Sequence, residues 1–541
     1  MLGRRSLLRG LGGTAAAAPL LAGGEAAGEA RPRWDRTVDV VVVGSGTGLC
    51  GALVAASHGL KVLVLEKSEL IGGNTVVSGG VLWVPGNRIM ARHGLSDSRD
   101  QALTYMRHLA QGQADPELLE SFYDHGADMA DFVEQATDLR WIVAGAEVTP
   151  PRPSDYHPTW AGSLPGRSLL SEAMAPGTHA AGGVRLIGAL QAACEKKGVE
   201  ILPATPAVRL ITQAGPDGVE VAGVEAAPAD APGGAHLRIR ATRGVLVASG
   251  GFERNWDMKR HFLRGPSPYT LGSETNTGDG IRMGMALGAD LRNMNEVWGI
   301  SVYKAEGERN GDVRAGISLN AQIERGNAGT LCVNRHGERF GNESADYDTS
   351  WRTYHTFENW LETGYRNIPA FLIADQAVRE RATLAGARPG QTLPDYVVSA
   401  DSLDALADRL GIDKAGLAAT VARFNKFAAE GKDPDFHRGE SGYDTLGGMR
   451  RPLAPLTKAP FYGIELSPAD IGTCGGLRVN GKAQVVDVFG QPIRRLFASG
   501  NTTGVGGPGA LYGGLGGTLG PAMTFAFIAG TGLAGLAPVA A

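Results

Sequence analysis

One short stretch constrains this chain more than any other. Val38-Asp39-Val40-Val41-Val42-Val43 is a nearly unbroken β-branched run, the composition of a strand covered on both faces. The glycine cluster Gly44-Ser45-Gly46-Thr47-Gly48 follows, then a helical stretch from Leu49 to His58. A second run, Lys61-Val62-Leu63-Val64-Leu65, is closed by Glu66. This is the order of a βαβ unit whose helix start is left bare. Bare backbone at a helix N-terminus binds anions, because its N–H groups have no intrahelical partners and no side chain blocks them. A carboxylate at the end of the second strand accepts hydrogen bonds from ribose hydroxyls. The pattern predicts an α/β chain with a Rossmann-like dinucleotide domain.

Two registers fit the glycines. Gly46-x-Gly48-x-x-Gly51 has the usual fingerprint spacing but starts two residues late relative to the strand. The Gly44 register starts on time and places Leu49 where the third glycine would stand. The Gly44 register with a one-residue contraction is preferred, which makes Gly44, Gly46 and Gly48 the phosphate turn. Six residues after Glu66, and just past Lys67, comes Gly72-Gly73-Asn74-Thr75, then Ser78-Gly79-Gly80. A second glycine-rich segment this close suits a long, extended dinucleotide such as FAD better than NAD.

The rest of the composition sets bounds. A chain of 541 residues points to two domains, and 43% hydrophobic with 20% charged residues is ordinary for a soluble enzyme. A net charge of −4 gives no footprint for nucleic acid and no electrostatic membrane anchor. Cys50, Cys194, Cys332 and Cys474 are scattered without any CxxC, so neither a metal site nor a disulfide framework is expected. They read as free and buried. Arg4-Arg5 followed by a mild apolar stretch resembles a twin-arginine export signal over residues 1–30, with periplasmic or exported location as the consequence. A disordered basic start on a cytoplasmic protein is the alternative. Pro521 to Ala541 is apolar but broken by Gly530, Gly532, Gly535 and Pro538, so it reads as a buried helix and not as a membrane span.

Asp115-Pro116-Glu117 reads as a helix start, with Leu118, Leu119, Phe122, Met129 and Phe132 on its inner face. Residues Ser154 to Arg167 read as a loop. Two later runs, Gly244-Val245-Leu246-Val247-Ala248 and Pro492 to Gly500, again bring a strand into a glycine turn. The expected organisation is an FAD domain over 36–300 and 461–541, interrupted by an α+β cap carrying substrate contacts and catalytic groups over 301–460.

Taken in order, GSGTG, EKSELIGGNTVVSGG, VLVASGGFERN, NTGDGIRMGMALGADL, NRHGERFGNES, FASGNTTG and GGTLGPAMTF make the chain resemble the fumarate reductase/3-ketosteroid dehydrogenase flavoproteins. The resemblance runs from Asp39 to Gly530. It implies that Ala248-Ser249-Gly250, Asp279, Gly500-Asn501 and the turn Gly517 to Leu519 also line FAD. A helix starting near Gly520-Pro521 would aim its positive end at the flavin pyrimidine, where reduced flavin carries negative charge.

Within that group the chain departs from the dicarboxylate reductases. Aligning Arg339-Phe340 and Asn342-Glu343 places Tyr347 where those enzymes hold their proton-donating arginine. Gly472-Thr473-Cys474-Gly475-Gly476-Leu477 stands where they carry two histidines. These segments are instead similar to the 3-ketosteroid Δ1-dehydrogenases. That likeness implies a small apolar, steroid-like ketone as substrate. Tyr512 and the Gly516 N–H would hold its ketone oxygen, Tyr347 would take the α-proton, and Tyr156 would supply Tyr347 with a hydrogen bond. The stretch between Asn501 and Tyr512 is one residue longer than in that group, and Gly513-Gly514 stands where proline is more usual. Tyr354, Tyr462, His157 and His336 are competing acid–base residues. Alternative functions are a 4-ene-dehydrogenase, an ene-reductase or desaturase for another carbonyl compound, or an electron-transfer flavoprotein subunit. The electron acceptor is left open between a quinone and a partner protein.

Overall fold

The β-branched run forms strand β1 (Arg36–Val43), in which Val40, Val41 and Val42 are fully buried. The structure is a computed structural model that describes residues 33–145, 154–172, 179–215, 218–310, 317–359, 364–444, 452–505 and 511–536. The segment read as an export signal lies outside the described residues. β1 pairs in parallel with β2 (Val62–Leu65) on one side and with strand Leu237–Val247 on the other, Val43 standing beside both Leu65 and Val247. Strand Pro492–Ala498 joins in parallel with Ala498 beside Val247. Four parallel strands therefore end at one edge, and the chain leaves them at Gly44, Glu66, Ala248 and Ser499. An open α/β sheet binds its ligand in such a crevice outside the strand ends. The sheet has eight strands, with antiparallel additions at its Gly218–Ala226 side.

Helix α1 (Gly48–Ser57) and the helix Leu519–Gly535 pack on this sheet and against each other. A Cβ on Gly51 would come within 2.5 Å of Leu246 and 2.9 Å of the Ala526 carbonyl, and one on Gly530 within 2.6 Å of the Gly51 carbonyl. Two glycines thus let α1 and the C-terminal helix touch backbone to backbone. That helix is apolar on all sides because α1, the sheet and the helix Pro116–Ala136 cover it, and most of its residues are buried. No helix among the described residues is long and apolar enough to cross a membrane. The helix expected after Asp115 runs Pro116–Ala136, with Leu118, Leu119, Phe122 and Met129 buried.

A second, six-stranded sheet is built around the long strand Phe461–Thr473, which pairs with Tyr269–Thr270, Val297–Tyr303, Ala370–Asp375 and Val398–Ala400. Its strands come from both sides of the 301 and 460 boundaries. A small three-stranded sheet, Leu82–Trp83, Ser168–Ser171 and Trp141–Val143, braces the loop that carries Tyr156. All four cysteines are free and buried.

Candidate active site

At the end of β1 the chain turns at Gly44, whose φ of +102° and approach to the Ala248 carbonyl (2.3 Å from a built Cβ) exclude any side chain. Gly46 opens onto a cavity of about 610 Å³. Gly48 instead packs helix against sheet, its Cβ position lying 3.0 Å from Val42 and 3.1 Å from Ala248. Tight turn, open approach and helix packing are the three roles glycine plays in a dinucleotide turn. Gly44, Gly46 and Gly48 show these three geometries, and Gly51 packs helix against sheet as well, its Cβ position 2.5 Å from Leu246.

Glu66 is buried against the same cavity. Its Oε2 accepts from the Ser45 amide at 3.0 Å and hydroxyl at 2.6 Å, and its Oε1 from the Ser68 amide at 2.8 Å. A carboxylate has about four acceptor sites, so one remains on Oε1 for a ribose hydroxyl.

The cavity brings most of the expected cofactor residues together. Gly44, Gly46, Glu66, Lys67, Gly73, Asn74, Thr75, Ser78, Gly79, Gly80, Ala248, Ser249, Gly250, Asp279, Gly500, Asn501 and Leu519 all line it. Gly48, Gly72 and Gly517 do not. Gly72 has φ +117° and caps the short helix Gly73–Val76, while Gly517 donates its N–H to the Gly514 carbonyl at 2.9 Å. Both shape the wall from behind. Lys67 and Asp279 pair with each other, Nζ to Oδ2 at 2.8 Å, and Lys67 also holds the Thr277 hydroxyl at 2.6 Å. They fasten the end of β2 to the loop before helix Asp279–Met285.

The fit to FAD rests on this backbone cradle. The tight turn at Gly44 leaves no room for a side chain, one at Gly46 would enter the cradle, and the same cavity continues from Glu66 to Gly516 and the start of the Leu519–Gly535 helix.

At the far end three tyrosines from three separate segments meet. Tyr156 and Tyr512 stack at 5.4 Å with 18° between their planes. The ring of Tyr347 lies 5.7 Å from Tyr156 and 5.1 Å from Tyr512, edge-on to both. Tyr347 opens the helix Tyr347–Tyr354, with Asp346 as its N-cap. Gly516 has φ +91°, gives its carbonyl to the Trp83 amide at 3.0 Å, and donates its own N–H to none of the described residues while lining the cavity. Burial pushes the phenols of Tyr156, Tyr347 and Tyr512 up, and for Tyr347 the neighbouring Tyr156 and Tyr512 hydroxyls add to the rise. The surroundings of Tyr347 favour the neutral phenol, and Tyr156 does not acidify it.

The competitors fall elsewhere. Tyr354 donates to the Ser301 hydroxyl at 3.0 Å and Tyr462 to Gln376 at 2.6 Å, both away from the cavity. His157 stacks on Trp160, and His336 lies toward Glu358. Several further residues complete the site. Trp298 meets Tyr512 edge-to-face at 5.2 Å, Tyr443 meets Tyr156 at 4.8 Å, and Cys474 packs among the same rings. Glu253, fully buried, accepts from Asn74 at 2.9 Å and Asn276 at 2.6 Å, tying the cradle together. Glu253 had a signal, its place in GGFERN, and Cys474 another, its place in Gly472-Thr473-Cys474-Gly475-Gly476-Leu477. The longer stretch between Asn501 and Tyr512 includes 506–510, which lie outside the described residues.

The FAD binding domain family matches residues 39–517. The chain is 35% identical to the 4-oxocyclohexanecarboxylate 2-dehydrogenase of Sinomonas cyclohexanicum, over 93% of each chain. It is also 35% identical to the 3-oxosteroid 1-dehydrogenase of Mycobacterium tuberculosis, over 91% of this chain and 97% of the relative. The chain belongs to the FAD-binding flavoprotein family that holds these dehydrogenases. A solved 3-ketosteroid Δ1-dehydrogenase from Sterolibacterium denitrificans, in complex with 1,4-androstadiene-3,17-dione, superimposes with a TM-score of 0.81 at 30% identity, covering 92% of this chain and 99% of its own. The protein is an FAD-dependent oxidoreductase, as the resemblance implied.

Proposed function

We propose that this flavoenzyme desaturates the 1,2 bond of a 3-ketosteroid. The observation that carries the reading is the meeting of Tyr156, Tyr347 and Tyr512 beside the Gly516 amide, at the apolar end of the cavity that holds the dinucleotide cradle. Leu271, Trp298, Ile300, Ile471 and Leu515 wall that end. Among the described residues the only lysine or arginine lining the cavity is Lys67, which is paired with Asp279. Such a pocket suits an uncharged polycyclic ketone and, among the described residues, offers a carboxylate no unpaired cation.

The roles follow from the chemistry. The Tyr512 hydroxyl and Gly516 N–H donate to the ketone oxygen, stabilising negative charge as the α-proton leaves C2. Tyr347 receives that proton. Its phenol is held well above the ordinary value, so it acts as the phenolate after releasing its own hydroxyl proton to water, and the Tyr156 hydroxyl then donates a hydrogen bond to the phenolate oxygen. FAD, when bound, supplies the acceptor for the hydride that departs from C1. The expected cofactor residues that line the cavity would hold it, with Glu66 toward the ribose and the start of the Leu519–Gly535 helix toward the flavin.

Export through the Arg4-Arg5 signal, an oxidant that is a quinone or partner protein, and a cap over 301–460 belong to the same proposal. Its test is anaerobic mixing of the yellow protein with 4-androstene-3,17-dione and with 4-oxocyclohexanecarboxylate. Rapid bleaching by the steroid supports the reading. Bleaching by the carboxylate alone overturns the substrate.

A further inference from the structure

The loops carrying Tyr156 and Tyr512 are fastened to one another along their backbones. The Tyr156 N–H donates to the Gly513 carbonyl at 3.1 Å and the Leu515 N–H to the Ser154 carbonyl at 3.0 Å, with Asp155 and Gly514 bridged antiparallel between them. Side chains would prevent this contact. A Cβ on Gly514 would lie 2.6 Å from the Ser154 carbonyl and 2.7 Å from Trp83, and one on Gly513 3.0 Å from Trp83 and Leu109. The two glycines after Tyr512 are what let the loops meet.

Behind the bridge sits a charged group with no access to water. Arg167, Asp155 and Asp97 have side chains 0% exposed. Arg167 grips Asp97 with two nitrogens at 2.7 and 2.9 Å and reaches Asp155 Oδ2 with the third at 2.8 Å. The same Asp155 oxygen accepts from the Leu164 amide at 2.9 Å and Ser163 at 3.2 Å, and Oδ1 from Trp83 Nε1 at 2.8 Å. Two carboxylates and one guanidinium out of water are costly, and apolar side chains would pack a loop as firmly. What charge-assisted hydrogen bonds add is direction, fixing angle as well as distance.

We propose that Asp155 and Arg167 are positioning residues that fix the hydroxyl of Tyr156 relative to Tyr347 and Tyr512. The inference rests on the role given to Tyr156 above. Asp155 immediately precedes Tyr156, and its side chain is anchored on both oxygens. The loop cannot slide along Gly513-Gly514-Leu515 without breaking those bonds. Without them Tyr156 drifts from the oxygen it must reach, and misplacement of about 1 Å costs up to about 10²-fold in rate.

Asp155→Asn tests this in FAD-loaded enzyme by stopped-flow flavin reduction with 4-androstene-3,17-dione. However the amide turns, its NH₂ faces a donor, either Trp83 Nε1 or the Arg167 and Leu164 set. Flavin reduction at saturating steroid should slow by about 10-fold, with the steroid Kd within about 2-fold of the parent. In a Tyr156→Phe background the same substitution should change the rate by less than about 2-fold, because its effect runs through the Tyr156 hydroxyl. Trp83→Phe removes the donor to Asp155 while keeping a ring, and should show the same coupling if Asp155→Asn does not fold. Equal losses in both backgrounds, or parent rates in Asp155→Asn and Trp83→Phe, overturn the proposal. A Tyr156→Phe enzyme that works at the parent rate removes Tyr156 from the mechanism, and the positioning role falls with it.

Discussion

Arg352 donates to Asp348 across one helical turn at 3.4 Å and to Glu296 at 2.7 Å, so the guanidinium serves Glu296 first and leaves Asp348 weakly paired. Asp348 is fully buried, one residue beyond Tyr347. Burial raises its pKa from 3.8 to about 6, only partly offset by Arg352. Between about pH 4 and pH 6 the folded protein keeps a proton that the unfolded chain has lost, so stability falls with rising pH across that window and is flat above it. Two pKa units correspond to about 3 kcal/mol. Near 2.1 cal/mol/K per residue, a body this size loses about 3 °C of Tm for that sum. Asp348→Asn should therefore gain about 3 °C on the parent between pH 4 and pH 7, measured by calorimetry at each pH. A gap that does not change with pH would show that Asp348 is ionised throughout.

The phosphate turn gives a cleaner outcome. A Cβ at Gly46 would sit 3.2 Å from the Thr75 hydroxyl, and the valine methyl groups beyond it would enter the cavity. Gly46→Val should fold yet purify colourless, retaining less than about a tenth of its FAD. Absorbance near 450 nm against protein concentration settles it. Full flavin content in a folded variant would mean that the pyrophosphate lies elsewhere.

Much of this was legible because backbone constraints leave marks in sequence. β1, α1 and β2, with Gly44 and Glu66 at the strand ends, are local, so composition and spacing suffice to place them. Convergence across the chain is different. Tyr156, Tyr347 and Tyr512 stand far apart in sequence, and only the family motifs linked them. Trp298 sits in the ordinary strand Val297–Tyr303, and Tyr443 in a loop without motif, so nothing local marked either one. Lys67 and Asp279 lie in recognisable segments, but that they pair with each other depends on how β2 meets a loop some two hundred residues later. The second sheet hid its extent for a similar reason: its central strand, Phe461–Thr473, runs on into the GTCGGL segment that reads as cofactor domain.

Export is a separate proposal with its own test. Recognition of a twin-arginine signal depends on both guanidinium groups, so Arg4→Lys/Arg5→Lys should leave a folded, FAD-loaded and fully active enzyme in the cytoplasm. Fractionation of cells producing the parent and the variant checks this. A parent found only in the cytoplasm would refute the signal.

The tyrosine assignment makes the sharpest prediction. Tyr347→Phe keeps the ring that packs on Tyr156 and Tyr512 but removes the oxygen that receives the α-proton. Flavin reduction by 4-androstene-3,17-dione should fall by about 10²-fold or more while the steroid still binds. Tyr512→Phe should cost a similar factor, since a donor to a developing oxyanion is worth roughly 3 kcal/mol in the transition state. The two variants should then separate in heavy water. Without Tyr347 no group takes the proton, and deuterium should not enter the substrate α-carbon. Without Tyr512 the acceptor remains, with the Gly516 amide alone on the ketone oxygen, so exchange should slow and persist. The neutral state favoured for Tyr347 adds a further expectation: Tyr156→Phe should slow exchange as well, because the phenolate that Tyr347 must become loses the hydrogen bond Tyr156 donates to it. Parent-rate flavin reduction in Tyr347→Phe would refute the base and leave the FAD-dependent reading of the fold standing.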